Sequence, residues 1–413
     1  MMKFAHFSDC HIGGWREEKL RALSLQSFQV AVDLCLREGV EFVVISGDLF
    51  NTSVPSIDAM KVVAGGMRKL QHHGVRVYVI PGSHDYSPSG KTMLDVLERS
   101  GLCVNVFKFN REEGTLSFVV DEKTNTHIAG MVGLKGGLEK FDYMKLKKKN
   151  LEEPHDGLKV FLFHSLLTEF KPVDFEMVDS EPLMSLPKHF HYYAGGHPHF
   201  VFQRDMGAHG YGLMTYPGPL FPNNFRELER LQHGGFYVVD VGNAFRCTAK
   251  HIPVALKEIV SFTFSADGKS ADDVGKEIES ALHHGVSDAI VTVRVEGCLR
   301  AGKASDIPFK KIFDSCEASL VLKNTHKLTT QELAEVVVEK GSVHDVEERL
   351  LLSHAEQFPV HFLGHRDGVA LARALMQLLD KEKLDGERLS DFEDRILSDV
   401  VKELRLEALL HED

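Results

Sequence analysis

Phe4-Ala5-His6-Phe7-Ser8-Asp9-Cys10-His11 sets a short apolar run directly against an acid and a histidine. Residues 4–8 read as a buried strand, and Asp9 and His11, two apart, project the same way in extended chain. The arrangement recurs four times in the first 200 residues. Val43-Val44-Ile45-Ser46 runs into Gly47-Asp48, and Val79-Ile80-Pro81 into Gly82-Ser83-His84-Asp85. Phe161-Leu162-Phe163 runs into His164, and Tyr193-Ala194-Gly195-Gly196 into His197 and His199. Between the first three runs, residues 18–37 and 57–73 carry apolar positions at helical spacing. Short β-branched strands alternating with such helices predict a layered α/β sheet. In open α/β sheets the carboxyl ends of the strands are where ligands are held. Five ends meeting there bring Asp9, Asp48, Asp85 and five histidines around one pocket.

That donor set suits a metal centre. Asp9 with His11, and His197 with His199, reach one site as pairs, and a shared carboxylate such as Asp48 bridges two cations in two-metal hydrolases. Mixed carboxylate and imidazole ligands favour Mn, Fe or Zn over Mg or Ca. Each piece alone is weak, since Asp-x-His, Gly-Asp and an isolated histidine are commonly turns or satisfied core groups. Their order, each at a strand end, is the signal.

The rest of the composition sets bounds. At 413 residues the chain is long enough for two or three domains. Lys+Arg 48 against Asp+Glu 60 leaves a net charge of −12, which argues against coating nucleic acid by bulk charge. It leaves room for a local basic groove or a cation-binding pocket. Hydrophobic residues at 43% and charged ones at 26% are ordinary globular values and exclude a disordered or fibrous chain. The six cysteines (Cys10, Cys35, Cys103, Cys247, Cys298, Cys316) show no metal or redox spacing and read as reduced thiols. The first residues lack the apolar core of a signal peptide, and no apolar run approaches the ~18–20 residues of a membrane span. A cytoplasmic protein without a membrane partner is expected. The run Lys145-Leu146-Lys147-Lys148-Lys149 reads as a solvated face rather than a phosphate contact.

Near Pro253–Lys257 the pattern changes. Strand-like segments at 259–264 and 289–295 flank a helical stretch at 271–283, and from Thr330 the chain is helical and charged.

The five pieces together resemble the calcineurin-like metallophosphoesterases, whose signature runs Asp-x-His, Gly-Asp, Gly-Asn-His-Asp/Glu, His, Gly-His-x-His. Gly47-Asp48-Leu49-Phe50-Asn51 with Pro55-Ser56, Tyr216-Pro217-Gly218, and Val293-Arg294-Val295-Glu296-Gly297 are similar to the SbcD-type exonuclease subunits of double-strand-break repair. The resemblance implies a four-layer α/β fold, a β sandwich flanked by helices, with a small α/β capping domain and a helical C-terminal tail. The implied boundaries are 1–255 for the nuclease domain, 256–328 for the cap and 329–413 for a helical partner-binding region. It implies two divalent metal ions, with Mn the expected metal. Asp9, His11, Asp48 and His199 would hold one, and Asp48, Ser83, His164 and His197 the other. His84 would be the catalytic non-ligand, with Asp85 orienting its ring. Ser83 departs from the family's Asn and is shorter, so a looser second metal is expected.

The resemblance further implies a metal-dependent DNA exonuclease or endonuclease acting on double-stranded DNA ends and single-stranded DNA. Its partner would be an SMC-like coiled-coil ATPase gripped by the C-terminal helices, and it would work as a homodimer. Apolar stripes at Leu371, Leu375, Met376, Leu378 and Leu379, and at Phe392, Ile396, Val400, Val401, Leu404 and Leu406, fit that docking or packing on the chain's own domain. Arg294, Arg300, Lys303, Lys310 and Lys311 are candidate phosphate contacts on the cap, although a plain stabilising role for the cap is as consistent with the residues. The alternatives are a small-molecule phosphomonoesterase or phosphodiesterase of the same superfamily, or a weakly catalytic DNA-end-binding scaffold.

Overall fold

The strands that carry the candidate ligands are apolar on both faces, and the fold shows why. A computed structural model describes residues 2–87, 90–175, 178–283, 285–330, 368–381 and 389–404. In β1 (Met2–Phe7), β2 (Phe42–Ser46) and β3 (Arg76–Ile80), alternate side chains enter two different cores. Ala5, Val43, Ile45, Val77 and Val79 pack under the helices α1 (Glu18–Glu38) and α2 (Ile57–His72). Phe4, Phe42, Val44, Tyr78 and Ile80 face a second sheet. From that sheet, β9 (Lys159–His164) and β10 (Tyr192–Gly196) send Val160, Leu162, Tyr192 and Ala194 inward. Their other face, with Phe161, Phe163 and Tyr193, covers a third core. Strands buried on both faces read as unbroken apolar runs rather than alternating ones. The result is the expected sandwich of two sheets flanked by helices.

Each sheet has six strands. The first runs β14–β13–β1–β2–β3–β4, with β4 at Val104–Asn105, β13 at Gly234–Val241 and β14 at Cys247–Val254. A hairpin of β5 (Phe109–Asn110) and β6 (Thr115–Leu116) stands apart. The second sheet runs β11–β12–β10–β9–β8–β7, with β7 at Val119–Asp121, β8 at Thr126–Gly130, β11 at Phe202–Asp205 and β12 at Leu213–Tyr216. β1, β2 and β3 are mutually parallel, as are β9 and β10, so the five ligand-bearing strands end on common edges. His6 on β1 spans the sandwich interior, with its Nδ1 at 2.9 Å from the Tyr192 hydroxyl and 3.1 Å from Thr215 Oγ1.

The described chain packs as two compact units. One comprises residues 1–264, 276–295 and 309–325. Besides the sandwich it contains most of β15 (Ile259–Ser265), the first part of β16 (Ile290–Leu299) and β17 (Leu320–Asn324). Ile290–Arg294 pair in parallel with Leu320–Asn324. Ile259 and Ile290 pack with Leu20, Phe221 and Leu228, the last from α3 (Phe225–Leu231). Arg294 grips the same helix through a forked pair with Glu229, at 2.9 and 2.6 Å, and stands over the Phe225 ring. Its guanidinium therefore braces the small sheet against α3 rather than waiting for a phosphate, which corrects that expectation. The helix expected at 271–283 is present at Ala271–Leu282.

The second unit comprises residues 265–275, 296–308 and 326–413. Within it Gly297–Leu299 pair with Leu328–Thr330, and helices Gly368–Leu379 and Leu389–Leu404 pack on each other, with Lys381 and Asp399 joined at 3.0 Å. Leu406 lies outside the described residues. No helix among the described residues is long and apolar enough to cross a membrane.

Candidate metal centre

Three of the five strand ends deliver their polar residues through unusual backbone. Asp9, His11, Asp48 and His197 all sit at positive φ (49°, 43°, 49° and 92°), a region L-residues enter only where the surroundings enforce it. Two glycines make the close approach possible. A Cβ on Gly82 would fall 2.3 Å from Asp48 Oδ1, and one on Gly47, itself at φ 86°, 2.3 Å from His164 Nδ1. Backbone links stitch the loops together: Asp9 N–H donates to Gly47 O at 3.2 Å, and His11 N–H to Asp48 O at 3.0 Å. His197 N–H donates to Asp9 Oδ1 at 2.9 Å, and His84 N–H to Asp48 Oδ1 at 2.8 Å.

Asp9, His11 and His199 form one group whose ligand atoms all lie within 4.8 Å of one another, and Asp9, Asp48 and His164 form another. Asp48 also joins His11 and His84 in a third. His197 stands beside these groups, its ring 5.4 Å from that of His164, and Ser83 Oγ is 3.4 Å from Asp48 Oδ2. His84 is exposed at the rim, its ring 4.8 Å from that of His11.

The tautomers are fixed from outside the cluster. His164 Nδ1–H donates to Ser46 O at 2.7 Å, which turns its Nε2 toward Asp48 Oδ2 at 3.2 Å. His199 Nδ1–H donates to Glu227 Oε1 at 2.7 Å, so its Nε2 faces His11 Nε2 at 3.1 Å. Lone pairs that meet this closely repel unless a cation or a proton lies between them. His11 Nδ1 and His164 Nε2 are buried without a hydrogen-bond partner among the described residues. Orphaned nitrogens beside carboxylates, with carboxylate and carbonyl partners behind the rings, are the donor arrangement a divalent cation needs. The residues fit the group.

Electrostatics point the same way. Burial works against ionising Asp48, but His164 and His11 beside it override this and hold it well below the usual carboxylate range. Burial likewise opposes charge on His164 and His199. Asp48 nonetheless pushes His164 up to about 10, and the bond to Glu227 with the pull of Asp9 pushes His199 up to about 8. Burial, aided by neighbouring histidines, leaves His11 well below its ordinary value and His197 lowered to about 4. The carboxylates thus favour positive charge at His164 and His199, while His11 and His197 stay neutral.

Two supporting groups were not legible in the sequence. Glu227, on α3 and buried, is held by Asn223 N–H at 2.7 Å while it orients His199. Its only local signal is Asn224, whose side chain caps the Glu227 N–H at 3.0 Å three residues on. The Asn51 carbonyl, which no sequence pattern encodes, accepts from His84 Nδ1–H at 2.8 Å. Asp85 does not orient that ring. Its carboxylate accepts backbone N–H groups from Gly82 (2.9 Å), Phe50 (3.1 Å) and Leu49 (3.3 Å), tying the second and third strand ends together.

Comparison with known proteins adds relatives to this geometry. The calcineurin-like phosphoesterase family matches residues 2–203. The DNA double-strand break repair protein Mre11 of Methanococcus maripaludis is 26% identical over 67% of this chain and 73% of its own. The Archaeoglobus fulgidus protein of the same name is 26% identical over 56% of this chain and 52% of its own. A solved structure, TT1561 of Thermus thermophilus, covers 60% of this chain and 98% of its own at 14% identity and a TM-score of 0.38.

Proposed function

We propose that the protein is a calcineurin-like phosphoesterase acting as a metal-dependent DNA nuclease that processes DNA ends in double-strand-break repair, a reading supported by the match of residues 2–203 to that family. The observation that carries the chemistry is the convergence of the buried Asp9, His11, Asp48 and His164 and the half-buried His199 on one cluster. Similarity to Mre11 proteins supports DNA as the substrate.

Asp9, His11, Asp48 and His199 would hold one divalent cation, and Asp48, Ser83, His164 and His197 a second, with Mn the proposed metal. When bound, such a pair supplies a nucleophile from water at neutral pH and neutralises charge developing on the phosphate. The chain's own residues do the rest. Glu227 and the Ser46 carbonyl hold the two rings so that Nε2 of each faces the centre. His84 keeps one proton on Nδ1 against the Asn51 carbonyl, which leaves Nε2 at the exposed rim to deliver a second proton to the departing oxygen. Residues 1–255 would be the nuclease domain, 256–328 a capping domain, and 329–413 a helical region that grips an SMC-like coiled-coil ATPase. Dimerisation and a cytoplasmic location belong to the same reading.

The test offers the wild-type chain with Mn²⁺ three substrates: end-labelled duplex DNA, single-stranded DNA and a generic phosphomonoester. DNA cleavage that stops on chelation supports the proposal. Turnover of the monoester alone would replace it with a small-molecule phosphatase, and silence on all three, with the ATPase added, with an end-binding scaffold.

A further inference from the structure

Between the two large sheets the core is apolar for most of its length, with Phe4, Phe42, Val44, Ile80, Val160 and Leu162 packed together. His6 and Thr215 interrupt it, and each is 0% exposed. His6 Nδ1 lies 2.9 Å from the Tyr192 hydroxyl and 3.1 Å from Thr215 Oγ1, and Thr215 donates to the Tyr192 hydroxyl at 2.6 Å. Burial lowers His6 to about 3, against the pull of the Gly195 backbone that the ring also meets, so the imidazole is neutral. Its Nδ1 then accepts from Tyr192, whose own oxygen accepts from Thr215. The triad joins β1 to β10 and β12 across the interior. Ser46, at the end of β2, adds a second tie by donating from Oγ to Ala194 O on β10 at 2.8 Å. The sheets approach closely here, since a Cβ on Gly196 would fall 2.1 Å from Ser46 O and 3.1 Å from Ser8 Cβ.

A buried hydrogen bond adds only about 0.5–1.5 kcal/mol, and apolar groups of the same shape can be nearly as stable. The use of this triad is therefore geometric. Asp9, His11 and Asp48 follow strands of one sheet, and His164, His197 and His199 belong to strand ends of the other. Packed sheets stand about 10 Å apart, whereas ligand distances in a metal site hold to about 0.2 Å. Apolar side chains repack with little penalty and set such a spacing loosely. Short, directional hydrogen bonds set it closely. His6 lies three residues before Asp9, and Gly195 two before His197, so the triad ties the sheets directly beneath the ligands.

We infer that His6, through Tyr192 and Thr215, is a positioning residue for the metal centre: it fixes the spacing of the two sheets so that ligands from both close on the same pair of cations. The inference rests on the metallophosphoesterase reading of the cluster and assigns His6 no contact with metal or substrate.

The test uses the full chain and Mn²⁺, read by calorimetry and by electron paramagnetic resonance. Tyr192→Phe and Thr215→Val each remove one hydroxyl at nearly constant volume, and His6→Leu removes the ring. Val44→Ala weakens the same core without touching a hydrogen bond. The wild type should take up two Mn²⁺ and show the spectrum of an exchange-coupled pair. His6→Leu and Tyr192→Phe should lose at least ten-fold in Mn²⁺ affinity and replace the coupled spectrum with the six lines of isolated ions. Thr215→Val should shift both readings the same way by a smaller factor. Val44→Ala should lower the melting temperature and leave affinity and spectrum within two-fold of the wild type. If His6→Leu fails to fold, Tyr192→Phe decides alone. Unchanged affinity and coupling in Tyr192→Phe would overturn the positioning role while leaving the metal centre standing. Equal losses in Val44→Ala would overturn it as well, by reducing the triad to core stability. A wild type that takes up no Mn²⁺ pair would end the metal reading and this inference with it.

Discussion

At the scale of single residues, the cluster is a set of nitrogens and carboxylates held in repulsive opposition until positive charge enters. Glu227 is central to that tension because it fixes the His199 ring from outside. Glu227→Gln keeps the shape but removes the charged acceptor, and it should weaken metal binding ~10–100-fold. Calorimetry with Mn²⁺ checks this, and unchanged affinity would make Glu227 a mere helix residue. Ser83→Asn places a carbonyl where the shorter hydroxyl stands, and it should tighten the weaker of two metal sites in the same titration. Protons compete for the same nitrogens. His164 at about 10 and His199 at about 8 are raised above the ordinary histidine value, so both carry protons at pH 6 that metal must displace. Apparent metal affinity should therefore rise from pH 6 to 8, about ten-fold per unit for each proton displaced. Titration in two buffers of different ionisation enthalpy would count those protons, and a pH-independent affinity with none released would contradict the assignment. The candidate ligands were legible because each follows its strand directly. Glu227 was not, since it lies 28 residues beyond the histidine it holds, and nothing in a linear pattern records that contact.

At the scale of elements, the central strands declared themselves because burial on both faces demands unbroken apolar runs. The run Val43–Ser46 and the strand Phe42–Ser46 differ by one residue. The short strands between residues 104 and 130 did not, since four of the five are only two or three residues long and the fifth, Thr126–Gly130, carries a single large apolar residue, Ile128. Arg294 was misjudged for a related reason. A cation on a strand looks the same in sequence whether it meets a phosphate or, as here, Glu229 on a neighbouring helix. The C-terminal helices carry a prediction of their own. Gly368–Leu379 and Leu389–Leu404 leave Met376, Leu379 and Leu397 substantially exposed although they pack on each other. Deleting residues 390–413 should abolish co-purification with an SMC-like ATPase while sparing metal binding. Unchanged co-purification would sink the docking role.

For the whole molecule, two sheets pressed face to face put five strand ends on common edges, and the helices outside leave those edges open. A net charge of −12 would repel a polyanion at long range, so on the proposed reading DNA would be held by cations at the cluster, by local surfaces or by a partner. The central claim is that this cluster, with His84 at its rim, cleaves phosphodiesters of DNA. The most direct measurement is Mn²⁺-dependent cleavage of an end-labelled duplex by the wild type beside His84→Ala, with bound metal counted in both. The wild type should cut, while the variant should retain its metal and lose at least a hundred-fold in rate, within the ~10²–10⁴-fold span of a positioned proton donor. A variant that cuts as fast as the wild type, or a wild type that carries two metals and leaves DNA intact, would contradict it.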